Sequence, residues 1–219
     1  MKRLSLLLAL AGLSVAALNA QEDSPTEISF RLYGNALYLK SERVPRYYRA
    51  KPRPFEFIGF TPAFSVRNAG SRTVHEVEAS FHWRNETVEM DRAREREFGF
   101  RYELGSYLEG NLFKIIRVRL GGGLLLYYYD GRVEPLTTTR FPRDLKSGGF
   151  LLSFIPHFEL PLGQRFFADF NASVFSIGVG IEHSYIHHPL FTERQRDQTS
   201  IAYDLGVNRF LRLGLGVRL

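Results

Sequence analysis

Glu78, Ser80 and His82 supply an acid, a hydroxyl and an imidazole at alternate positions. These types form a nucleophilic relay when they touch. In an extended chain, side chains two residues apart stand ~7 Å apart, too far for hydrogen bonds in series. His157 has better prospects. A turn over Pro161 to Gln164 brings it opposite or near Asp169, with Ser153 and Ser173 further along the same face. A carboxylate beside an imidazole orients a general base. The plain alternative is a buried hydrogen-bond network.

Two further clusters carry binding chemistry. His183, His187 and His188, with Tyr185 between them and Glu182 beside them, have the types and spacing of a Zn²⁺ or Cu²⁺ site. Against that stands the ordinary case of solvated loop histidines. Arg43, Arg46, Arg49, Lys51 and Arg53 surround Tyr47 and Tyr48 in a polar stretch. Arginine pairs with phosphate in two-pronged fashion, so this stretch suits a phosphate-bearing surface. Asn85-Glu86-Thr87 and Asn171-Ala172-Ser173 match the glycosylation sequon and are read as chance.

The elements that must position these residues follow from the ends and the alternation. Lys2 and Arg3 precede an apolar run from Leu4 to Leu13, and Leu18-Asn19-Ala20 precedes Gln21. This pattern predicts a cleaved export signal over residues 1–20 and one domain over 21–219. The net charge of +6 falls to +4 with the loss of Lys2 and Arg3. No dense basic run points to nucleic acid. The absence of cysteine excludes disulfides and thiolate metal sites. No later stretch has the ~18 apolar residues of a spanning helix.

The rest alternates with a period of two. Eight segments emerge: Glu27 to Lys40, Phe57 to Arg67, Thr73 to Arg84, Arg96 to Leu108, Ile115 to Tyr129, Gly149 to Leu160, Arg165 to Gly178, and a last one ending at Leu219 whose apolar phase reaches back through Leu205. Short turn-like connections, Asn68 to Ser71, Glu109 to Asn111 and Pro161 to Gln164, alternate with long polar ones, Ser41 to Pro54, Asn85 to Glu95, Asp130 to Ser147 and about Val179 to Gln198. All long connections then fall at one end and both termini at the other. This predicts an all-β, antiparallel up-and-down β-barrel of about eight strands.

Volume decides which face points outward. The apolar positions number on the order of forty, many aromatic, and an eight-stranded barrel has an interior just wide enough for side chains to fill. The apolar face therefore meets lipid, and the barrel is transmembrane. The other face mixes small residues with Arg31, Glu76, Glu78, Arg84, Arg101, Glu103, Arg117, Arg119, Glu159, Asp169, Arg212 and Arg218. Confined charges must be paired, and the two signs nearly balance. The tight turn at Gly110 is expected to set Glu103 opposite or diagonal to Arg119. Trp83, Phe98, Tyr38 and Tyr128 fall where an aromatic girdle would sit.

Export signal, alternating strands and the end Arg212-Leu213-Gly214-Leu215-Gly216-Val217-Arg218-Leu219 resemble the small outer-membrane β-barrel proteins of Gram-negative envelopes, in particular the outer membrane protein beta-barrel domain group. The last residue is Leu219, where that family usually ends in Phe or Trp. The resemblance implies a bacterial outer-membrane location with periplasmic termini. It also implies insertion by the barrel-assembly machinery and contact with outer-membrane lipid and lipopolysaccharide. No cofactor is expected, and the protein is expected to be a monomer. Some barrels of this size modify lipid A, but the His-Tyr-Ser pattern of the deacylases is missing. The leading expectation is a non-enzymatic structural or surface-interaction protein with a plugged polar lumen. A narrow small-solute pore and a lipid A or phospholipid-modifying enzyme follow it.

Overall fold

The computed structural model describes residues 26–38, 60–68, 70–88, 91–137, 141–206 and 210–219. Ten strands and one short helix are present among them: β1 Thr26–Tyr38, β2 Phe60–Asn68, β3 Thr73–Val88, β4 Asp91–Leu112, β5 Ile116–Pro135, β6 Arg143–Pro161, β7 Phe166–Ser173, β8 Phe175–Ile186, α1 Glu193–Arg196, β9 Asp197–Gly206 and β10 Phe210–Arg218. Each strand pairs antiparallel with its neighbours in sequence from β1 to β6. β7 and β8 are two halves of one seventh strand, since β6 pairs with both. β9 and β10 are two halves of the eighth, pairing with β8 and β7 respectively. The β10–β1 pairing closes the ring, from Ser29 against Arg218 to Tyr38 against Phe210. The result is a closed up-and-down barrel of eight strands.

The barrel is inside-out relative to a soluble protein. Arg31, Glu76, Glu103, Arg119, His157, Glu159 and Asp169 are buried, while Phe64, Leu104, Leu126, Phe150, Leu152, Ile177, Leu213 and Leu215 are exposed. A closed sheet leaves no backbone edge unpaired, which a bilayer demands. An apolar exterior on such a sheet is the transmembrane solution.

The exterior changes polarity sharply from one register row to the next. Phe81, Phe98, Tyr128, Gly148, Ile181 and Ile201 lie in one row across five pairings. Two residues further toward the loop end, the row reads Trp83, Arg96, Asp130, Lys146, His183 and Thr199. Trp83 and Tyr128 are exposed at this junction, as a girdle requires. The Tyr38 side chain lies outside the described residues.

Several boundaries differ from the sequence expectation. Strands at the loop end run further than the apolar alternation does. β4 has 22 residues and β5 has 20, about twice the 9–11 that cross a bilayer. Asn85 to Val88, Asp91 to Glu95, Asp130 to Pro135 and Arg143 to Ser147, expected in loops, are therefore strand. The seventh strand continues to Ile186 and the eighth begins at Asp197, so the expected long loop from Val179 to Gln198 shrinks to residues 187–196. The cause is a break at Val174, whose N–H donates to the Phe154 carbonyl at 3.0 Å. Before it, odd residues face inward (Phe167, Asp169, Asn171); after it, even ones do (Ser176, Gly178, Gly180). This one-residue slip swaps the faces and hides the continuing alternation.

The second hairpin turn also moves. Phe113 and Lys114 form it with φ of 51° and 64°, and Gly110, at φ 79°, sits in a bulge instead. Three residues separate the paired Leu112 and Ile116; the Ile115 N–H donates to the Leu112 carbonyl at 3.2 Å, closing a β-turn whose two central residues both take positive φ without glycine.

Candidate functional site: a charged plug in the lumen

The site is the turn-end half of the barrel interior. Alternation aims one set of side chains from every strand at the same axis, and in a barrel this narrow they must meet. β1 supplies Arg31 and Tyr33, β3 supplies Glu76 and Glu78, and β4 supplies Arg101 and Glu103. β5 contributes Arg119, β6 His157 and Glu159, β7 Asp169, and β10 Arg212.

Two arginines organise the cluster. The Arg31 guanidinium lies 3.1 Å from Glu76 Oε2, 2.7 Å from Glu159 Oε1 and 3.3 Å from Asp169 Oδ2, and also donates to Ser65 Oγ. Arg119 Nη2 lies 2.7 Å from Glu76 Oε2 and 3.4 Å from Glu103 Oε1. Glu76 thus bridges both cations. His157 closes the group: Nε2 is 2.8 Å from Glu103 Oε1 and Nδ1 is 3.0 Å from Asp169 Oδ2. The Tyr33 hydroxyl donates to Asp169 Oδ2 at 2.6 Å, and that of Tyr107 to Glu159 Oε1 at 2.7 Å.

Toward the loops the plug continues through Glu78, whose Oε2 meets Arg101 Nη2 at 2.5 Å and Arg212 Nη2 at 2.8 Å. Toward the turns it ends on Glu27, which pairs with Arg67 and Arg218. Six arginines and six carboxylates take part. That balance matters because an unpaired charge in a dry interior costs several kcal/mol.

Aromatic faces and glycines complete the packing. Arg31 and Arg218 lie over the Phe167 ring at 4.9 and 4.8 Å, and Arg212 over Tyr33 at 4.3 Å. Gly216 leaves the room that the Phe167 ring fills, and Gly214 does so for Tyr33. Gly121 does so for the Glu103 carboxylate, and Gly105 lies against the Arg119 stem. The glycines of the alternating wall are the complement of the long side chains crossing it.

The sequence candidates fall as follows. Arg31, Glu76, Glu78, Arg101, Glu103, Arg119, Glu159, Asp169 and Arg212 are all brought together in the plug. Arg117 lies at the turn-end mouth beside Arg67, Arg72 and Tyr107 rather than among the ion pairs. The Arg84 side chain lies outside the described residues. Glu103 and Arg119 touch, but not through the expected register. Glu103 faces Gly123 and Arg119 faces Tyr107, because the turn sits at Phe113-Lys114. The long Arg119 side chain spans the offset across the glycine gap.

His157 stands diagonal to Asp169, since it is in register with Asn171. Both its ring nitrogens are engaged by carboxylates, it has no exposed surface, and neither Ser153 nor Ser173 hydrogen-bonds to it. The geometry is that of a structural crosslink. Glu78, Ser80 and His82 occupy alternate positions of β3, as expected. The three loop-end histidines are kept apart. His183 is in β8, against Asp197 at 3.2 Å and Thr199 at 3.1 Å. His187 meets Asp144 at 2.8 Å, and His188 stacks with Phe191 at a centroid distance of 3.9 Å. No metal-ligand cluster forms among the described residues. Arg43, Arg46, Arg49, Lys51 and Arg53 lie outside them.

Sequence reasoning missed Tyr33, Ser65, Tyr107 and Phe167 as members of the plug. Tyr33 and Ser65 do sit on the inward phase of their segments, so parity held the signal.

No protein-family model matches the chain, and no curated protein matches it. Solved structures do. A major outer membrane protein from Thermus thermophilus superposes with a TM-score of 0.55 at 9% identity, covering 89% of this chain and all of that one. Ail, the attachment invasion locus protein of Yersinia pestis, gives 0.43 at 9% identity, over 90% of this chain and all of that one. Neisserial surface protein A gives 0.38 at 12% identity, over 90% of this chain and 99% of that one. With the closed eight-stranded ring and its apolar exterior, the likeness to the Thermus protein shows that this chain has the fold of the small outer-membrane β-barrels.

Proposed function

We propose that the chain is an integral outer-membrane protein whose barrel is sealed, serving the envelope as a structural or surface-interaction element rather than as a channel. Residues 1–20 direct export, the termini lie in the periplasm and the loop end faces outward. Insertion is by the barrel-assembly machinery, and the working unit is the monomer. The basic first connection, with Arg43, Arg46, Arg49, Lys51 and Arg53, then meets lipopolysaccharide phosphates.

The observation that carries this reading is the plug. Arg31, Arg119, His157, Glu103, Glu159 and Asp169 are at most 1% exposed and crosslink all eight strands through their partners. A conducting path needs water along the axis, and the burial of these side chains argues against one at their level. Planar-bilayer recording of the refolded protein tests it: the current stays at baseline at applied potentials of either sign. Regular ohmic steps would overturn the reading and favour a pore.

A further inference from the structure

β4 carries Arg92, Arg94 and Arg96 on its outward face, just beyond the apolar row. All three are exposed. None makes an ion pair or hydrogen bond with a described residue, although carboxylates stand nearby. Arg92 is in register with Glu134, but Glu134 accepts from Arg132 Nε at 2.9 Å. Arg94 lies between Asn85 and Arg132, so arginine faces arginine across the strands. Like charges directly opposite destabilise a sheet. Arg96 lies between Trp83 and Asp130. Asp130 guards the β5 side and has Lys146 beyond it. The β3 side presents Trp83, Asn85 and Thr87, none of them charged. Among the described residues the stripe meets no paired opposite charge, and its β3 side is the uncharged one.

We infer that the stripe docks a membrane lipid bearing more than one phosphate. Three features point there. The same face of β4 continues downward as Phe98, Phe100, Tyr102 and Leu104, so a ligand of the guanidinium groups meets an apolar wall directly beneath them. That continuity selects an amphiphile over a free anion. The three arginines span ~14 Å along the strand, more than one phosphate covers. Arginine gives the two-pronged geometry that phosphate oxygens take. The stripe shares no residue with the basic first connection, and the inference rests on the bilayer-spanning reading above.

The test uses the full mature chain refolded into phosphatidylcholine nanodiscs. These are doped with bisphosphorylated lipid A, its monophosphorylated form or its phosphate-free form. A parallel sample receives inorganic pyrophosphate. Lipid retained after extraction is read by native mass spectrometry. The wild type should retain the bisphosphorylated lipid on the order of tenfold over the phosphate-free one. The Arg92→Ser, Arg94→Ser, Arg96→Ser protein should lose that preference, and the three Arg→Lys changes should keep only part of it. Equal retention by the serine variant, or by the phosphate-free lipid, overturns the inference. Displacement of the lipid by equimolar pyrophosphate shows a free-anion site and also overturns it. A wild-type chain that fails to insert, judged by protease protection, refutes the spanning reading and this inference together. Insertion without discrimination refutes the stripe alone.

Discussion

Arg101 and Arg94 belong to the same strand and have opposite fates. Arg101 points into the lumen and is held at 2.5 Å by Glu78. Arg94 points away from the barrel, opposite a second arginine. Residue type is identical, and seven positions reverse the face. The difference teaches that charge in this chain is spent twice. On the inner face it crosslinks strands, and removing one partner strands another. On the outer face beyond the apolar row some charges pair with one another, as Arg132 does with Glu134, while Arg92, Arg94 and Arg96 pair with no described residue.

The largest expected effect comes from the inner set. Arg119→Ala leaves Glu76 and Glu103 facing each other with one cation fewer, and breaking a buried pair costs about 3–5 kcal/mol. Urea unfolding in lipid vesicles should show this as a lower midpoint. An unchanged midpoint would mean the lumen is wet enough to screen the carboxylates.

Gly121→Val comes next. A Cβ there collides with the Glu103 carboxylate, and overpacking of this kind costs about 1–3 kcal/mol. The same substitution at Gly122, whose Cβ meets nothing within 4 Å, should be close to neutral, so the two unfolding curves separate inner from outer wall. Tyr33→Phe removes the donor to Asp169 and should lower stability by about 1–2 kcal/mol while far-ultraviolet dichroism stays constant.

The smallest effect belongs to the outer arginines. Replacing Arg92, Arg94 and Arg96 by serine should shift unfolding in uncharged detergent by about 0.5 kcal/mol or less per site, in either direction. A large loss would place these residues in the fold's own energetics and dissolve the contrast.

Much of this was legible from period-two alternation. Strand number, barrel closure and the inward phase of Arg31, Glu76, Glu103, Arg119 and Asp169 follow from it, because a narrow ring leaves alternating side chains no other direction. The proximity of His157 and Asp169 followed from the turn at Pro161 to Gln164. Beyond the lipid the outward face is no longer apolar and the signal failed: it carries Arg92 and Arg94 in Asp91 to Glu95, and Asp130, Arg132 and Glu134 in Asp130 to Pro135, so both read as loop. The slip at Val174 hid the strand from Val179 to Ile186 by swapping its faces. The shift from Gly110 to Phe113-Lys114 was illegible because glycine is the usual turn residue and the actual turn contains none. Tyr33 and Phe167 escaped because a list of charges leaves out the rings on which those charges rest.

The account stands on which face of β4 meets lipid, and the absence of native cysteine makes that directly measurable. Single cysteines placed in turn from Phe98 to Leu104 can carry a nitroxide label in the refolded, membrane-inserted protein. Collision with dissolved oxygen, which partitions into lipid, and with a water-soluble nickel complex reports each site's surroundings. We predict high oxygen accessibility at 98, 100, 102 and 104, and low accessibility to both reagents at 101 and 103. Oxygen accessibility that peaks at the odd positions, or shows no period of two, would contradict the inside-out barrel.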